Sequence, residues 1–310
     1  MISLPVRWAA KKSAPQNRPA LREALTKKNA RSQRQDHFLT DCALKTNKLV
    51  IMPPKPMPSL FVSHGAPTLY LEPQPTRAFL MELGKALPRP KAVVCVSAHW
   101  TTAKPMLTTA ASPGTMHDFG GFPEALFAVR YPASGHPALA GHLGELLAKK
   151  GITATYDPQR GLDHGAWVPL GLMYPEADIP VVQLSVQPER NAAHHLAMGE
   201  ALASLRQDGV LVVASGSATH NLRGVRWDAP ATPPPDYVVA FDAWLKEGVL
   251  GARTDILVDY PHQAPFAFDN HPTPEHLLPL FVPLGMGGKA RLLHDHFTLG
   301  VLSMAAFAWE

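Results

Sequence analysis

The sequence has few cysteines and no long hydrophobic run. Only two cysteines occur among its 310 residues, Cys42 and Cys95, which excludes a disulfide framework and a thiolate metal site. This cysteine usage predicts a reducing compartment, which we take to be the cytoplasm. No uninterrupted apolar run could span a bilayer, so no membrane partner is predicted. The hydrophobic fraction of 46% instead predicts a globular protein with a sizeable core.

The folded part of the sequence also lacks an excess of positive charge. The net charge is +4, but residues 1–50 hold 11 Lys and Arg against 3 Asp and Glu, which leaves 18 against 22 in the remainder. No nucleic-acid motif accompanies the basic residues, so nucleic acid is not a predicted partner. The sequence leaves the oligomeric state open.

The basic N-terminal segment stands apart from the rest of the chain. Its composition is typical of a disordered extension or of a start codon assigned too far upstream, because Met52 and Met57 closely precede the first predicted strand. Its Arg-rich, acid-poor character overlaps with that of organelle transit peptides. We favour the first interpretation and predict a disordered extension over residues 1–56 and one folded domain over residues 57–310.

From about residue 57, strand-like and helix-like segments alternate. Short β-branched or apolar runs bounded by Gly, Pro or polar turns predict buried strands, and they are SLFVSHG, KAVVCVSAHW, MLTTAAS, ITATYD, IPVVQLSV and GVLVVASGSATH. Amphipathic helices are predicted after Pro137, around Met198 and around Phe241. The C-terminal run FTLGVLSMAAFAW predicts a last strand, with a buried helix as the alternative. The pattern predicts a single α/β domain with a central, mostly parallel or mixed sheet flanked by helices.

Histidines follow several of the predicted strands. Of the 15 histidines, His64, His99 and His220 each come at the carboxyl end of such a run, and His164 and His276 lie in loops marked by Gly or Pro. Ligands of open α/β sheets bind at this edge, and imidazole is a good ligand for Fe(II) and Zn(II). A buried structural histidine is the alternative for any single one, but three at equivalent positions favour a metal site at the strand carboxyl ends.

Six segments together resemble one enzyme family. SLFVSHGAPTLYLE, PKAVVCVSAHW, HDFGGFPEALFAVRYPA, GLDHGAWVPLGLMYPEADIPVVQLS, ASGSATHNLR and HPTPEHLLPLF are similar, in this order and spacing, to the 4,5-DOPA-type extradiol dioxygenases, a branch of the class III ring-cleaving dioxygenases. The resemblance covers about residues 58–310. It implies an enzyme that cleaves a catechol ring with O2 to a muconate-semialdehyde-type product.

The resemblance also implies the ligands of a single metal ion. The matching positions are His64, His99 and His276, and Glu275 is a neighbouring carboxylate that could be mistaken for a ligand. Fe(II) is implied for activity, whereas Zn(II) would bind the same ligands without redox chemistry. The implied fourth ligand in the absence of substrate is His220.

Two histidines receive catalytic roles from the resemblance. His220 is implied to transfer protons, and His164 to orient substrate or bound oxygen. Asp118 and Asp163 are candidate hydrogen-bond partners of these histidines. Two other functions stay open from the sequence: a zinc-dependent hydrolase with Glu275 as base, and a non-enzymatic binding protein on the same fold.

Overall fold

The computed structural model describes residues 55–310. The disordered extension predicted over residues 1–56 therefore lies outside the described residues, apart from its last two positions. Among the described residues, no helix combines the length and the apolar character needed to cross a membrane.

A mixed eight-stranded sheet forms the centre of the fold, in the spatial order β4-β3-β5-β2-β6-β1-β10-β7. The strands, two of which form a separate hairpin, are β1 Ser59–Ser63, β2 Ala92–Thr101, β3 Met106–Thr108, β4 Thr155–Asp157, β5 Val181–Val186, β6 Val210–Gly216, β7 Ala290–His294, β8 Phe297–Thr298, β9 Leu302–Ser303 and β10 Ala306–Trp309. The four central strands β5, β2, β6 and β1 run parallel, and β10 pairs antiparallel with β1. The carboxyl ends of the four parallel strands therefore lie at one edge of the sheet.

Helices cover both faces of this sheet. They are α1 Pro75–Ala86, α2 Glu124–Ala128, α3 Pro137–Lys149, α4 His164–Met173, α5 Ala192–Leu202, α6 Asp236–Leu250, α7 Thr254–Val258, α8 Tyr260–Gln263, α9 Ala267–Asn270 and α10 Phe281–Gly285. Alternate residues of the strands enter two separate hydrophobic cores: Val94 packs on the face that carries α3, α5 and α6, and Val93 on the face that carries α1 and α4. Burial on both faces explains why the central strands are mostly apolar and do not alternate between apolar and polar residues.

The predicted single α/β domain and its six internal strands are confirmed. The predicted helices correspond to α3, α5 and α6. The apolar spacing that predicts the second of them extends to Leu205, but Leu205 lies beyond α5, in a short 3-10 helix over Ala203–Arg206. The prediction of one strand over the C-terminal run was wrong in extent, because the run forms β8, β9 and β10. Gly300, with φ +77°, lies in the turn between β8 and β9 and allows the chain to reverse there.

Candidate active site

The register of the parallel strands brings two of the predicted ligands to the same level. Val62 of β1 and Ser97 of β2 both pair with Ser215 of β6, the strand between them. His64 and His99 each follow two residues later along their strands, so both rings arrive at the carboxyl edge of the sheet at the same height. Sheet geometry alone therefore places these two histidines beside each other.

The predicted position at a strand end holds closely for only one of the three histidines. His64 directly follows β1, whereas β2 continues through His99 to Thr101. β6 ends at Gly216, so His220 lies four residues farther, in the loop, where its N–H donates to the Asn270 carbonyl at 2.9 Å. The prediction that His99 and His220 terminate strands was wrong in this detail, because the apolar runs that mark the strands do not coincide with the hydrogen-bonded ladder.

His276 reaches the site from the loop before the last helices. Its carbonyl oxygen accepts the Ser217 N–H at 2.9 Å, which ties the loop to the end of β6. A Cβ atom on Gly216 would lie 2.2 Å from that same oxygen, so the close approach requires glycine at this position. Gly216 was not predicted from the sequence, although a glycine at the end of a buried strand is the signal that could have indicated it.

Three ring nitrogens converge where these segments meet. The Nε2 atom of His99 lies 2.9 Å from Nε2 of His64 and 3.3 Å from Nε2 of His276. On the far side of each ring, Nδ1 of His64 forms a hydrogen bond with the Ser215 hydroxyl at 2.9 Å, and Nδ1 of His276 forms one with the Glu275 carboxylate at 2.9 Å. Imidazoles oriented through Nδ1 with converging Nε2 atoms are the arrangement that metal-binding histidines adopt.

The protonation state of these rings suits a metal. Burial lowers the pKa of His64 and His276 well below the usual value, and the neighbouring histidines add to the effect. Burial and the adjacent His164 lower the pKa of His99 to about 4. All three imidazoles are therefore neutral near pH 7, with lone pairs available to a cation. The donor set fits a divalent transition metal.

A second arrangement of possible ligands overlaps the first. His220, Glu275 and His276 also place one ligand atom each within 4.8 Å of one another. Glu275, however, accepts from the outward Nδ1 of His276 and from the Thr273 hydroxyl at 3.0 Å. These contacts make Glu275 an orienting partner of His276, so the three-histidine group is the better metal site.

His220 lies directly against His276. Their ring centroids are 3.4 Å apart with an interplanar angle of 9°, so the imidazoles stack face to face. Burial lowers the pKa of His220 to about 4, which leaves it unprotonated at neutral pH. An unprotonated imidazole beside a metal site can accept a proton.

His164 is fixed by Asp118. One oxygen of the carboxylate accepts both the His164 backbone N–H at 2.9 Å and the ring Nδ1 at 3.0 Å, while the other lies 3.6 Å from Nδ1 of His99. Burial disfavours the ionised carboxyl, but the hydrogen bonds from His164 outweigh burial and lower the pKa of Asp118 to about 2. The ionised Asp118 carboxylate accepts a hydrogen bond from the proton on Nδ1 of His164, so Nε2 of that ring is the nitrogen available to a ligand.

Asp163 has a different role from Asp118. It is fully buried at the start of α4, where it accepts from the Ala166 N–H at 3.2 Å and from the Ser97 hydroxyl at 2.6 Å. Arg160 pairs with it at 3.0 Å. Asp163 therefore anchors the start of α4 to β2, which sets the position of the following residue, His164.

All five histidines line one cavity of about 710 Å³. Gly120 and Gly121 of the DFGGFP segment also line it. Much of the remaining wall is apolar or aromatic. A cavity of this size can enclose a substituted aromatic ring.

The family of the chain follows from comparison with known proteins. Residues 59–307 match the family model described as the catalytic LigB subunit of aromatic ring-opening dioxygenase. The chain belongs to this family. The match extends from the first strand to the last and includes all five histidines of the cavity, so the resemblance to ring-cleaving dioxygenases seen in the sequence is confirmed.

Individual relatives agree with the family assignment. The chain is 45% identical to a 4,5-DOPA dioxygenase extradiol of Escherichia coli K12 over 242 residues, 77% of this chain and 88% of the relative. It is 40% identical to a protein of the same name from Beta vulgaris over 256 residues, 80% of this chain and 95% of the relative. A crystal structure of an uncharacterized E. coli K12 protein superposes with a TM-score of 0.68 at 37% identity, covering 82% of this chain and all of that one.

These findings decide the class of protein. The chain is an aromatic ring-opening dioxygenase, and neither the hydrolase nor the binding-protein alternative receives support.

Proposed function

We propose that the protein is an Fe(II)-dependent extradiol dioxygenase in which His64, His99 and His276 hold the metal. The observation that supports this most directly is the convergence of three neutral Nε2 atoms, 2.9 and 3.3 Å apart in successive pairs, at the wall of the cavity. When bound, Fe(II) would be chelated by the two catechol oxygens and would relay electron density to O2. Zn(II) would bind to the same histidines without redox chemistry.

His220 is proposed as the acid and base of the reaction. Its ring is unprotonated at neutral pH and stacks on His276, so it can accept the proton released when a catechol hydroxyl binds. The same imidazolium can return that proton to the product side as the ring opens. The short distance to His276 also supports the proposal that His220 is a fourth ligand of the metal before substrate enters.

His164 is proposed to orient the substrate or bound oxygen. Because Asp118 holds its Nδ1, the free Nε2 is the nitrogen that can meet a ligand in the cavity. Asp118 acts through His164 and is a positioning residue.

The proposed reaction joins one catechol and one O2. The carbon–carbon bond next to the diol breaks and both oxygen atoms enter the product, a muconate-semialdehyde-type compound, so the atoms balance without another reductant. The relatives named 4,5-DOPA dioxygenase extradiol support a catechol with a side chain as substrate. The cysteine usage additionally supports a cytoplasmic location.

Metal replacement tests this proposal. The protein is reconstituted anaerobically with Fe(II) or with Zn(II) and mixed with a catechol in oxygenated buffer, and oxygen uptake is recorded. Turnover is expected with Fe(II) alone, because ring opening requires a redox-active metal. Equal turnover with both metals, or hydrolytic activity confined to the zinc form, would contradict the proposal.

A further inference from the structure

The wall of the cavity has an uneven distribution of charge. Apart from the five histidines, Glu72 is the one ionisable side chain among the described residues that line it, and no lysine or arginine of residues 55–310 does so. Glu72 is exposed and follows the short 3-10 helix Pro67–Tyr70, with its N–H on the Thr68 carbonyl at 2.8 Å. The charge that meets a substrate side chain in this cavity is therefore negative.

Aromatic rings form another part of the wall. Phe119 and Phe122 lie edge to face with centroids 5.5 Å apart, and Phe122 lies edge to face with Trp227 at 5.7 Å. The Trp227 side chain is 56% exposed, although it lines the cavity. Exposed aromatic faces attract organic cations, and indole does so most strongly.

We infer that the enzyme selects catechols whose side chain carries an ammonium group over those whose side chain carries a carboxylate. The inference rests on the proposed catechol-cleaving function and adds the substrate class. With the hydroxyls at the histidines, the side chain of a ring-substituted catechol extends toward the rest of the wall. There an ammonium meets Glu72 and the exposed Trp227, whereas a carboxylate meets Glu72 without a cation to offset its lost hydration.

The expected selectivity is moderate because Glu72 and Trp227 are both exposed. Cation–π attraction and an exposed charge contribute about threefold each to the relative affinity, so together they favour the cationic over the anionic side chain by about tenfold. Added salt should weaken the part due to Glu72, since its charge is screened by mobile ions. An amino-acid side chain, which carries both charges, should fall between the two.

Three catechols test the inference. Each carries a two-carbon chain on the ring, which ends in an ammonium group in dopamine, in a carboxylate in 3-(3,4-dihydroxyphenyl)propionate and in no charged group in 4-ethylcatechol. Their dissociation constants are measured by calorimetry with the full-length protein loaded with Zn(II), which binds catechols without turning them over. The expected order of affinity is dopamine, then 4-ethylcatechol, then the propionate.

Variants assign the selectivity to its source. Glu72→Gln should reduce the dopamine-to-propionate ratio about threefold and Glu72→Lys should nearly abolish the preference, while Trp227→Leu should weaken dopamine more than 4-ethylcatechol. Glu82→Gln is the matched control, since Glu82 is exposed on α1, pairs with Lys85 and does not line the cavity. It should leave the ratio unchanged.

The outcomes separate this inference from the proposed function. Equal affinities, a preference for the propionate, or a ratio insensitive to Glu72→Lys would each overturn the inference. Absence of 4-ethylcatechol cleavage by the Fe(II) enzyme would contradict the proposed function while the binding ratios still decide the selectivity. Failure of all three catechols to bind would overturn both.

Discussion

Replacing Gly216 with alanine should separate metal binding from folding. Gly216 ends β6, and an added Cβ would lie 2.2 Å from the carbonyl oxygen of His276 and 3.3 Å from the Phe61 ring. Because nonbonded carbon and oxygen atoms need well over 3 Å, the His276 loop must retreat by about 1 Å. Because the His276 carbonyl belongs to the backbone, it cannot rotate away as a flexible side chain can. The displacement therefore also moves the His276 imidazole.

The displacement has two consequences of different size. The Ser217 N–H loses its bond to the His276 carbonyl, at a cost to the free energy of unfolding of about 1–3 kcal/mol. Metal ligation tolerates deviations of only about 0.2 Å, so the third nitrogen leaves the coordination sphere. Metal affinity should therefore fall by a large factor while the protein still folds.

The assay compares metal content and thermal stability of the variant with and without metal. Gly216→Ala should keep a cooperative unfolding transition at a lower Tm, but the increase in Tm on adding metal should disappear. Gly141→Ala is the matched control, since a Cβ there meets no atom within 4 Å and Gly141 lies within α3. An unchanged metal content and Tm increase in Gly216→Ala would refute the assignment of His276 as a ligand.

Four further predictions concern catalysis, stability and the extent of the folded domain. His220→Phe should retain Fe(II) and bind catechol anaerobically, yet the rate of ring cleavage should fall by roughly a hundredfold. Unchanged turnover would refute the acid and base role of His220, and loss of iron from the variant would show that His220 is a metal ligand. Asp118→Asn should lower kcat by about tenfold or more with metal content retained, and wild-type kcat would refute the positioning of His164. Burial lowers the pKa of His195 to about 4, so this ring stays neutral in the folded protein while the unfolded chain takes up a proton below about pH 6.5; between pH 7 and pH 4.5 the wild type should therefore lose about 2 kcal/mol more of its free energy of unfolding in urea than His195→Gln does, and equal losses would refute it. A chain starting at Lys55 should keep its fold and activity, and loss of metal-binding protein would show that residues 1–54 contribute.

The sequence predicted the parallel centre of the fold because burial on both faces imposes a simple pattern. Runs such as AVVCV are apolar throughout, and β2, β5 and β6, which carry few polar residues, are buried along almost their whole length. α4 gave no such signal, since every one of its residues is buried and Pro169 interrupts it, which removes the amphipathic periodicity that marks a helix. The pairing of β10 beside β1 joins residues that lie 244 to 250 positions apart in the sequence, such as Val62 with Ala306 and Ser59 with Trp309, and has no local pattern.

Within the candidate site, the sequence located residues better than it located their partners. Histidines near strand ends were visible because the parallel sheet brings such positions together. The role of Gly216 depends on a loop that approaches from 60 residues away, and the bond from His164 to Asp118 depends on how the loop that carries Asp118 approaches the start of α4. Such contacts leave no spacing in the sequence. The resemblance to a known family supplied His276 as a ligand where periodicity could not.

We propose that this chain opens a catechol ring with O2 at an iron held by three histidines. The most direct measurement is the stoichiometry of the Fe(II)-loaded enzyme acting on 4-ethylcatechol, with oxygen uptake recorded by electrode and the product identified by NMR. We predict one O2 consumed for each catechol and an aldehyde proton from a ring-opened product. Oxygen consumption that yields a quinone and hydrogen peroxide, or no consumption with full iron occupancy, would contradict the account.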